Sequence, residues 1–242
     1  MFSLILPAYN EAPRLEKCVR ECQRRFKQIG EDYEIIIAED GSTDGTDMIA
    51  AKIARRDKRV KHLHQDNKLG RGRAVTLASK IARGDRIGFI DVDMATRVDF
   101  LDDLVKYSKK YDVVTGSRYV PGAELERPLL REFASKAYNL MIRVLLGVEL
   151  YDSQCGFKAF SKRFVKKEMG KIKENSWAWD AAVLIHAIKS GYSFKEFPVV
   201  WKEKKEAAHS ASMSRLMRDA KLHGTVVLKM FLKWRLGLPV QV

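Results

Sequence analysis

Apolar runs and helix-period segments alternate from the first residues of this chain, and that alternation limits its fold more than any other feature. Leu4 to Leu6 is a short apolar run stopped by Pro7, and from Leu15 the apolar residues fall at 15, 18, 19, 22, 26 and 29, the spacing of one helix face. Tyr33 to Ala38 is a second run, closed by Glu39-Asp40-Gly41-Ser42, after which Met48, Ile49 and Ile53 mark another helix. Val60–Leu63, a helix from Arg71 to Ala82, Ile87–Ile90, a helix from Phe100 to Tyr107, and Val113–Thr115 continue the series. Strands separated by helices pair in parallel, and runs this uniformly apolar need helices over both sheet faces. After Arg118 the pattern loosens: Pro121, Gly122 and Pro128 interrupt a polar stretch before an amphipathic helix through Phe133, Ala137, Leu140, Met141 and Val144. The fold class expected is α/β, a mostly parallel sheet covered on both faces, in one domain.

A chain of 242 residues that is 46% hydrophobic builds a sizeable core. Forty-five Lys and Arg against 31 Asp and Glu leave a net charge of +14, which favours nucleic acid, anionic lipid or phosphorylated small molecules as partners. Cys18, Cys22 and Cys155 are too few for a disulfide framework and fit a reducing compartment. Cys18 and Cys22 share a helical apolar face and are expected in the core. Met1-Phe2-Ser3-Leu4-Ile5-Leu6 has no features of a targeting leader. Lys229, Lys233 and Arg235 break the one stretch that approaches a membrane-spanning length.

In parallel α/β sheets ligands bind at the carboxyl ends of strands, so the polar residues there carry the chemistry. Asp91 and Asp93, two apart, point the same way if the chain is extended, and converging carboxylates need a cation between them. With no His nearby, that cation is expected to be Mg²⁺ or Mn²⁺, completed by the oxygens of a diphosphate. Asp40 is placed to accept hydrogen bonds from a ribose or base, and Tyr9 offers a ring face for stacking. Lys68, Arg71 and Arg73, beside Gly70 and a helix start, are candidates to neutralise phosphates. Together these describe a nucleotide site.

The segments Pro7-Ala8-Tyr9-Asn10-Glu11, Glu39-Asp40-Gly41-Ser42-Thr43-Asp44-Gly45-Thr46, Asn67-Lys68-Leu69-Gly70-Arg71-Gly72-Arg73-Ala74 and Asp91-Val92-Asp93 resemble glycosyltransferase family 2. Gly116-Ser117-Arg118-Tyr119, Asp152-Ser153-Gln154-Cys155-Gly156-Phe157-Lys158, Trp177-Ala178-Trp179-Asp180 and Val200-Trp201-Lys202-Glu203 are similar to its polyprenyl-phosphate sugar transferases. Within that group, Gln154–Lys158 and Ala95-Thr96 look more like dolichyl-phosphate β-glucosyltransferases than the mannosyltransferases. Two departures stand out: Ala182, where the glucosyl enzymes usually have Glu, and Ala208-His209-Ser210, where they have a glycine before a Ser-Lys element.

The resemblance implies a GT-A fold and an inverting, metal-dependent hexosyltransferase. Such an enzyme is expected to move a hexose from UDP-glucose or GDP-mannose to a polyprenyl phosphate, peripherally, at the cytoplasmic face of the membrane. By motif, Pro7, Ala8, Tyr9, Glu11 and Asp40 would hold the nucleoside and Asp91 with Asp93 the metal; Lys68, from its charge beside Gly70, and Asp91 complete the expected donor-binding set. Arg118, Arg131 and Ser135 match positions that bind the acceptor phosphate, and Asp180 would orient the sugar; Asp91, Asp93, Arg118 and Arg131 are the expected catalytic set. A phosphate acceptor is already anionic and needs no general base. Two like charges about 4 Å apart cost roughly 4 kcal/mol at an effective dielectric near 20, which the metal and the arginines would offset.

The expected division is a glycosyltransferase domain over 1–210, with a nucleotide-sugar half at 1–117 and an acceptor half at 118–210. A basic amphipathic membrane-surface helix over 211–242 follows, read from Met213, Leu216, Met217, Ala220, Val227, Leu228, Phe231 and Trp234. Nucleic acid is not an expected partner, because the basic residues are scattered and no recognition motif accompanies them. No Gly-rich loop follows the first strand, which argues against a sugar nucleotidyltransferase and a Rossmann oxidoreductase.

Overall fold

A computed structural model describes residues 1–175, 178–203, 224–233, 235 and 236. The first half runs β1 (Phe2–Ala8), α1 (Ala12–Ile29), β2 (Tyr33–Glu39), α2 (Thr46–Arg56), β3 (Val60–Leu63), α3 (Arg71–Ile81), β4 (Arg86–Ile90), α4 (Leu101–Ser108) and β5 (Val113–Ser117). The second half runs β6 (Glu124–Glu126), α5 (Leu129–Leu146), β7 (Phe157–Ser161), α6 (Lys162–Lys167), α7 (Trp179–Lys189), β8 (Phe194–Pro198) and β9 (Val200–Lys202). The seven-stranded sheet has the order β3-β2-β1-β4-β7-β5-β8, and β7 alone in it is antiparallel to its neighbours. The mostly parallel sheet expected from the alternation is therefore present, and β7 and β8 from the second half complete it.

Period-two geometry sends alternate residues of each strand to opposite faces. Ile36 and Ala38 join one core layer with α3, α5, α6 and α7, whereas Ile35 and Ile37 join the other with α1, α2 and α4. On α1 the predicted stripe is buried as Leu15, Cys18, Val19, Cys22 and Phe26, so both cysteines are core residues with free thiols. That helix ends at Gly30, whose φ of 71° admits the left-handed cap and whose N–H bonds back to Phe26.

One local expectation changes. β1 continues through Pro7, which lies beyond the last β1–β4 pair, Ile5 with Phe89, where a residue without an N–H is tolerated. The expected 211–242 helix is described only in part, and there Val226, Val227 and Met230 are buried in the core layer of α7 while Leu228, Leu232 and Leu236 stay exposed. Both placements suit the periodicity, because helical spacing marks an apolar face without saying what covers it. Trp177, residues 204–223 and Trp234 lie outside the described residues. No described helix is long and apolar enough to cross a membrane.

Candidate active site

Three loops are laced together at the carboxyl end of the sheet. After β1 the chain turns through Asn10, whose φ of 56° lies in the left-handed region that Asn tolerates. Its backbone N–H donates to Ser42 Oγ at 3.0 Å, and Thr43 donates to Asn10 Oδ1 at 2.9 Å. Glu11 and Ala12 donate to Thr46 Oγ1 at 2.8 Å and Asp44 Oδ2 at 3.1 Å. Pro7 and Ala8 close β1 opposite Ala38 and Glu39 of β2.

Asp40 is buried, and its two carboxylate oxygens accept the backbone N–H groups of Leu69 at 2.8 Å and Gly70 at 2.9 Å. The expected nucleoside acceptor is thus already a clamp on the loop before α3, with lone pairs still to offer. Lys68 Nζ sits 3.5 Å above the Tyr9 ring centre, so the ring face expected to stack on a base carries the ammonium expected at the phosphates.

Asp91 and Asp93 occupy a tight turn after β4 rather than the extended chain expected from their spacing. Met94 donates to the Asp91 carbonyl at 3.1 Å, and Ala95 donates to Asp93 Oδ1 at 2.9 Å. The turn keeps the pair together, because Val92 between them is buried and both acids are partly open. Burial pushes Asp91 up to about 7; Arg71 pulls it down, and the negative charge of Asp93 pushes it up again. Burial also raises Glu11, which Arg14 opposes and Asp93 reinforces. Carboxylates crowded until one resists ionising, with no imidazole among them, fit a hard divalent cation.

A buried network stands behind this turn. The Arg71 guanidinium spans Asp91 Oδ1 at 2.6 Å and Asp180 Oδ2 at 2.7 Å, while Lys158 Nζ reaches Asp180 Oδ1 at 2.8 Å. Asp180, expected to orient sugar, is buried between these two cations and holds Arg71 and Lys158 in place. Lys158 is wholly buried on β7 and carries no role in the sequence reading; the available signal was a charge inside the apolar run Phe157–Phe160, which survives only when paired.

In the acceptor half the expected residues have partners within the chain. Arg118 donates through Nε and Nη2 to the two oxygens of buried Asp152 at 2.7 and 2.8 Å, and through its backbone N–H at 2.9 Å. Asp152 engages one edge of the fork and fixes the guanidinium, while the Nη1–Nη2 edge keeps N–H donors that could meet a phosphate, so Arg118 is held by an internal anchor. Arg131 pairs with Glu203, and Ser135 Oγ accepts from Arg127 Nη1 at 3.1 Å. Arg127, which the sequence did not single out, lies 5.3 Å from the Trp201 ring centre, with Arg118 5.4 Å from that same ring. Burial lowers the Arg127 pKa, and the positive charge of Arg118 lowers it further. Two cations set this close favour an anion between them. The Thr96–Trp201 bridge and the Lys202 N–H to Ala95 bond at 2.9 Å seat β9 against the turn that follows Asp93. Both halves of the expected site thereby reach one end of the molecule.

The sequence profile described as Glycosyl transferase family 2 matches residues 3–168. Glycosyltransferase AglD of Haloferax volcanii is 38% identical over 238 residues, covering 97% of this chain and 37% of that protein. Dolichyl-phosphate beta-glucosyltransferase ALG5C of Trichomonas vaginalis is 31% identical over 214 residues, covering 83% of this chain and 64% of that protein. The chain thus spans just over a third of the first relative and just under two thirds of the second. Among solved structures, glucosyl-3-phosphoglycerate synthase from Mycobacterium tuberculosis, in complex with Mn²⁺, UDP and glucosyl-3-phosphoglycerate, superposes with a TM-score of 0.69 at 19% identity, over 99% of this chain and 81% of that one. The mannosyltransferase PcManGT of Pyrobaculum calidifontis, with GDP-Man and Mn²⁺, gives 0.55 at 17% identity, over 96% and 61%.

Proposed function

This chain is a glycosyltransferase that belongs to glycosyl transferase family 2, and from that premise we propose that it transfers a hexose, with inversion, from a nucleotide-diphosphate sugar to a polyprenyl phosphate. The observation that carries the donor side is the Asp91–Asp93 turn, facing Glu11 at the carboxyl end of the sheet. These two aspartates would hold Mg²⁺ or Mn²⁺, which neutralises a leaving diphosphate when bound. The chain's own residues do the rest. Arg71 and Asp180 fix the Asp91 carboxylate, the Asp40 clamp sets the loop that carries Lys68, and Tyr9 with Lys68 borders the nucleoside. UDP-glucose is the preferred donor and GDP-mannose the alternative, since the relatives named as dolichyl-phosphate enzymes are glucosyltransferases.

The acceptor reading rests on α5. Leu129, Leu130, Phe133, Leu140 and Val144 are exposed on this helix, which also carries Arg131 and Ser135 and follows Arg127. An apolar face beside clustered arginines suits a phosphate whose lipid tail lies in a bilayer, and it supports the reading of a peripheral enzyme, which the proposal sets at the cytoplasmic face. A soluble phosphorylated acceptor would need the arginines but not the apolar face. The test is a panel of nucleotide sugars with Mg²⁺ or Mn²⁺, offered a short polyprenyl phosphate or a soluble sugar phosphate, with nucleoside diphosphate release as the readout. Release only with the lipid phosphate, lost in D91N and D93N, is expected; release with the soluble acceptor alone would reject the lipid reading.

A further inference from the structure

Glu39, His62 and His64 form a second cluster of ligating side chains, apart from the Asp91–Asp93 turn and adjoining Asp40. β2 and β3 pair in parallel with Ile37 opposite His62 and Ala38 opposite Leu63, so the next step brings Glu39 opposite His64. Residues two apart share a strand face, which puts both imidazoles beside the Glu39 carboxylate on the layer that holds Ile37 and Val60. One nitrogen of each ring and one Glu39 oxygen lie within 4.8 Å of one another.

The local bonding points inward. Glu39 is fully buried; its Oε1 accepts the Ser42 N–H at 2.5 Å, and its Oε2 lies 2.5 Å from His64 Nδ1. The two rings meet edge to face at 5.8 Å. His62 Nε2 is buried with no hydrogen-bond partner, a ring nitrogen that has left water without replacement. His64 Nε2 lies 3.5 Å from Asp66 Oδ1, and a carboxylate behind a histidine is the usual device for orienting a metal ligand. Asp47, in the first turn of α2, adds negative charge near both rings. A simple ion pair of protonated His64 with Glu39 accounts for one contact and leaves His62 unexplained.

We infer that Glu39, His62 and His64 bind a divalent transition metal ion of the zinc class through one carboxylate oxygen and two imidazole nitrogens. His64 is 46% exposed, so the fourth position opens to water. Two imidazoles with a single carboxylate favour Zn²⁺ over Mg²⁺, the reverse of the Asp91–Asp93 preference. The two sites are distinct, since β1 stands between β2 and β4 in the sheet. An ion here ties β3 to the end of β2 and so steadies the Asp40 loop.

The experiment uses the full chain carrying D91N/D93N, so that the donor site contributes no metal binding. Zn²⁺ is titrated by equilibrium dialysis with and without added H62A or H64A, with circular dichroism confirming the fold; H62Q replaces H62A if the latter does not fold. One Zn²⁺ bound in the D91N/D93N background, weakened at least about tenfold by either histidine change, is expected. Zn²⁺ should also raise the Tm of that background and not of the histidine variants. Co²⁺ in place of Zn²⁺ should give visible bands typical of nitrogen ligation. Zn²⁺ binding that is absent in the D91N/D93N background, or equally tight in the histidine variants, overturns the inference.

Discussion

Gly156 packs its backbone directly against the acid turn: a Cβ built there would lie 1.8 Å from Asp91 Oδ2 and 2.6 Å from Arg71 Nη2. Gly156→Ala must therefore displace the carboxylate, and a shift of about 1 Å at a reacting centre can lower turnover on the order of 100-fold. We expect that loss in nucleoside diphosphate release, with unchanged circular dichroism; near-normal turnover would show that the Asp91 position is not critical. The arginines separate in another way. Arg118→Ala strips Asp152 of its partner, and an uncompensated buried charge costs about 3–5 kcal/mol, so denaturant unfolding should reveal a large stability loss. Arg127→Ala removes a hydrogen bond to Ser135 and, among the described residues, no ion pair with a buried acid, and should raise the KM for the lipid phosphate while leaving stability within about 1 kcal/mol. Equal destabilisation by the two changes would make Arg127 structural as well.

β2 is buried along all seven residues, and it carries a charge in its interior. Burial raises the Glu34 pKa, but hydrogen bonds from the Arg83 backbone, Ser3, Lys61 and the Arg83 side chain overcome it and hold the group at about 2, below the ordinary 4.5. A carboxylate depressed on folding contributes stability that is complete above pH 4.5 and is lost as pH falls through 2. Lys61 and Arg83 are 32% and 59% exposed, so solvent screening trims the contribution to about 2 kcal/mol. Acid titration of the unfolding free energy should show that loss between these limits, and Glu34→Gln should flatten it; an unchanged slope would place the acid-sensitive group elsewhere. α5 presents the opposite problem, an apolar face left in solvent. Charged replacements at Leu129 and Phe133 should weaken vesicle co-sedimentation without lowering the Tm.

Across the whole molecule the second half is inseparable from the first. β7 inserts between β4 and β5, and the segment 224–233 buries Val226, Val227 and Met230 in the layer built by α3, α5 and α7. Removing the chain after Gly224 takes away three buried side chains worth about 1.5–3 kcal/mol each, so thermal unfolding should shift clearly downward. Vesicle attachment should fall by less, because the exposed α5 face remains. A truncated protein with an unchanged Tm would return the segment to a role at the membrane surface alone.

The strand–helix alternation, the two-sided core and the acids at strand ends could be read directly, because period 2, period 3.6 and residue chemistry are written within a few neighbours. The family motifs could be read for the same reason. What could not be read was every pairing made across the sheet order. Nothing local to Arg118 announces Asp152, 34 residues away, and nothing local to Asp180 announces Arg71, 109 residues away. β7 escaped notice because Lys158 breaks an apolar run, and its burial makes sense only once Asp180 is beside it. The C-terminal periodicity likewise marked an apolar face that served core and solvent equally well. Local sequence fixes which surface an element must bury and which groups carry charge; only the folded chain decides which charge meets which, since that depends on contacts between residues far apart in sequence.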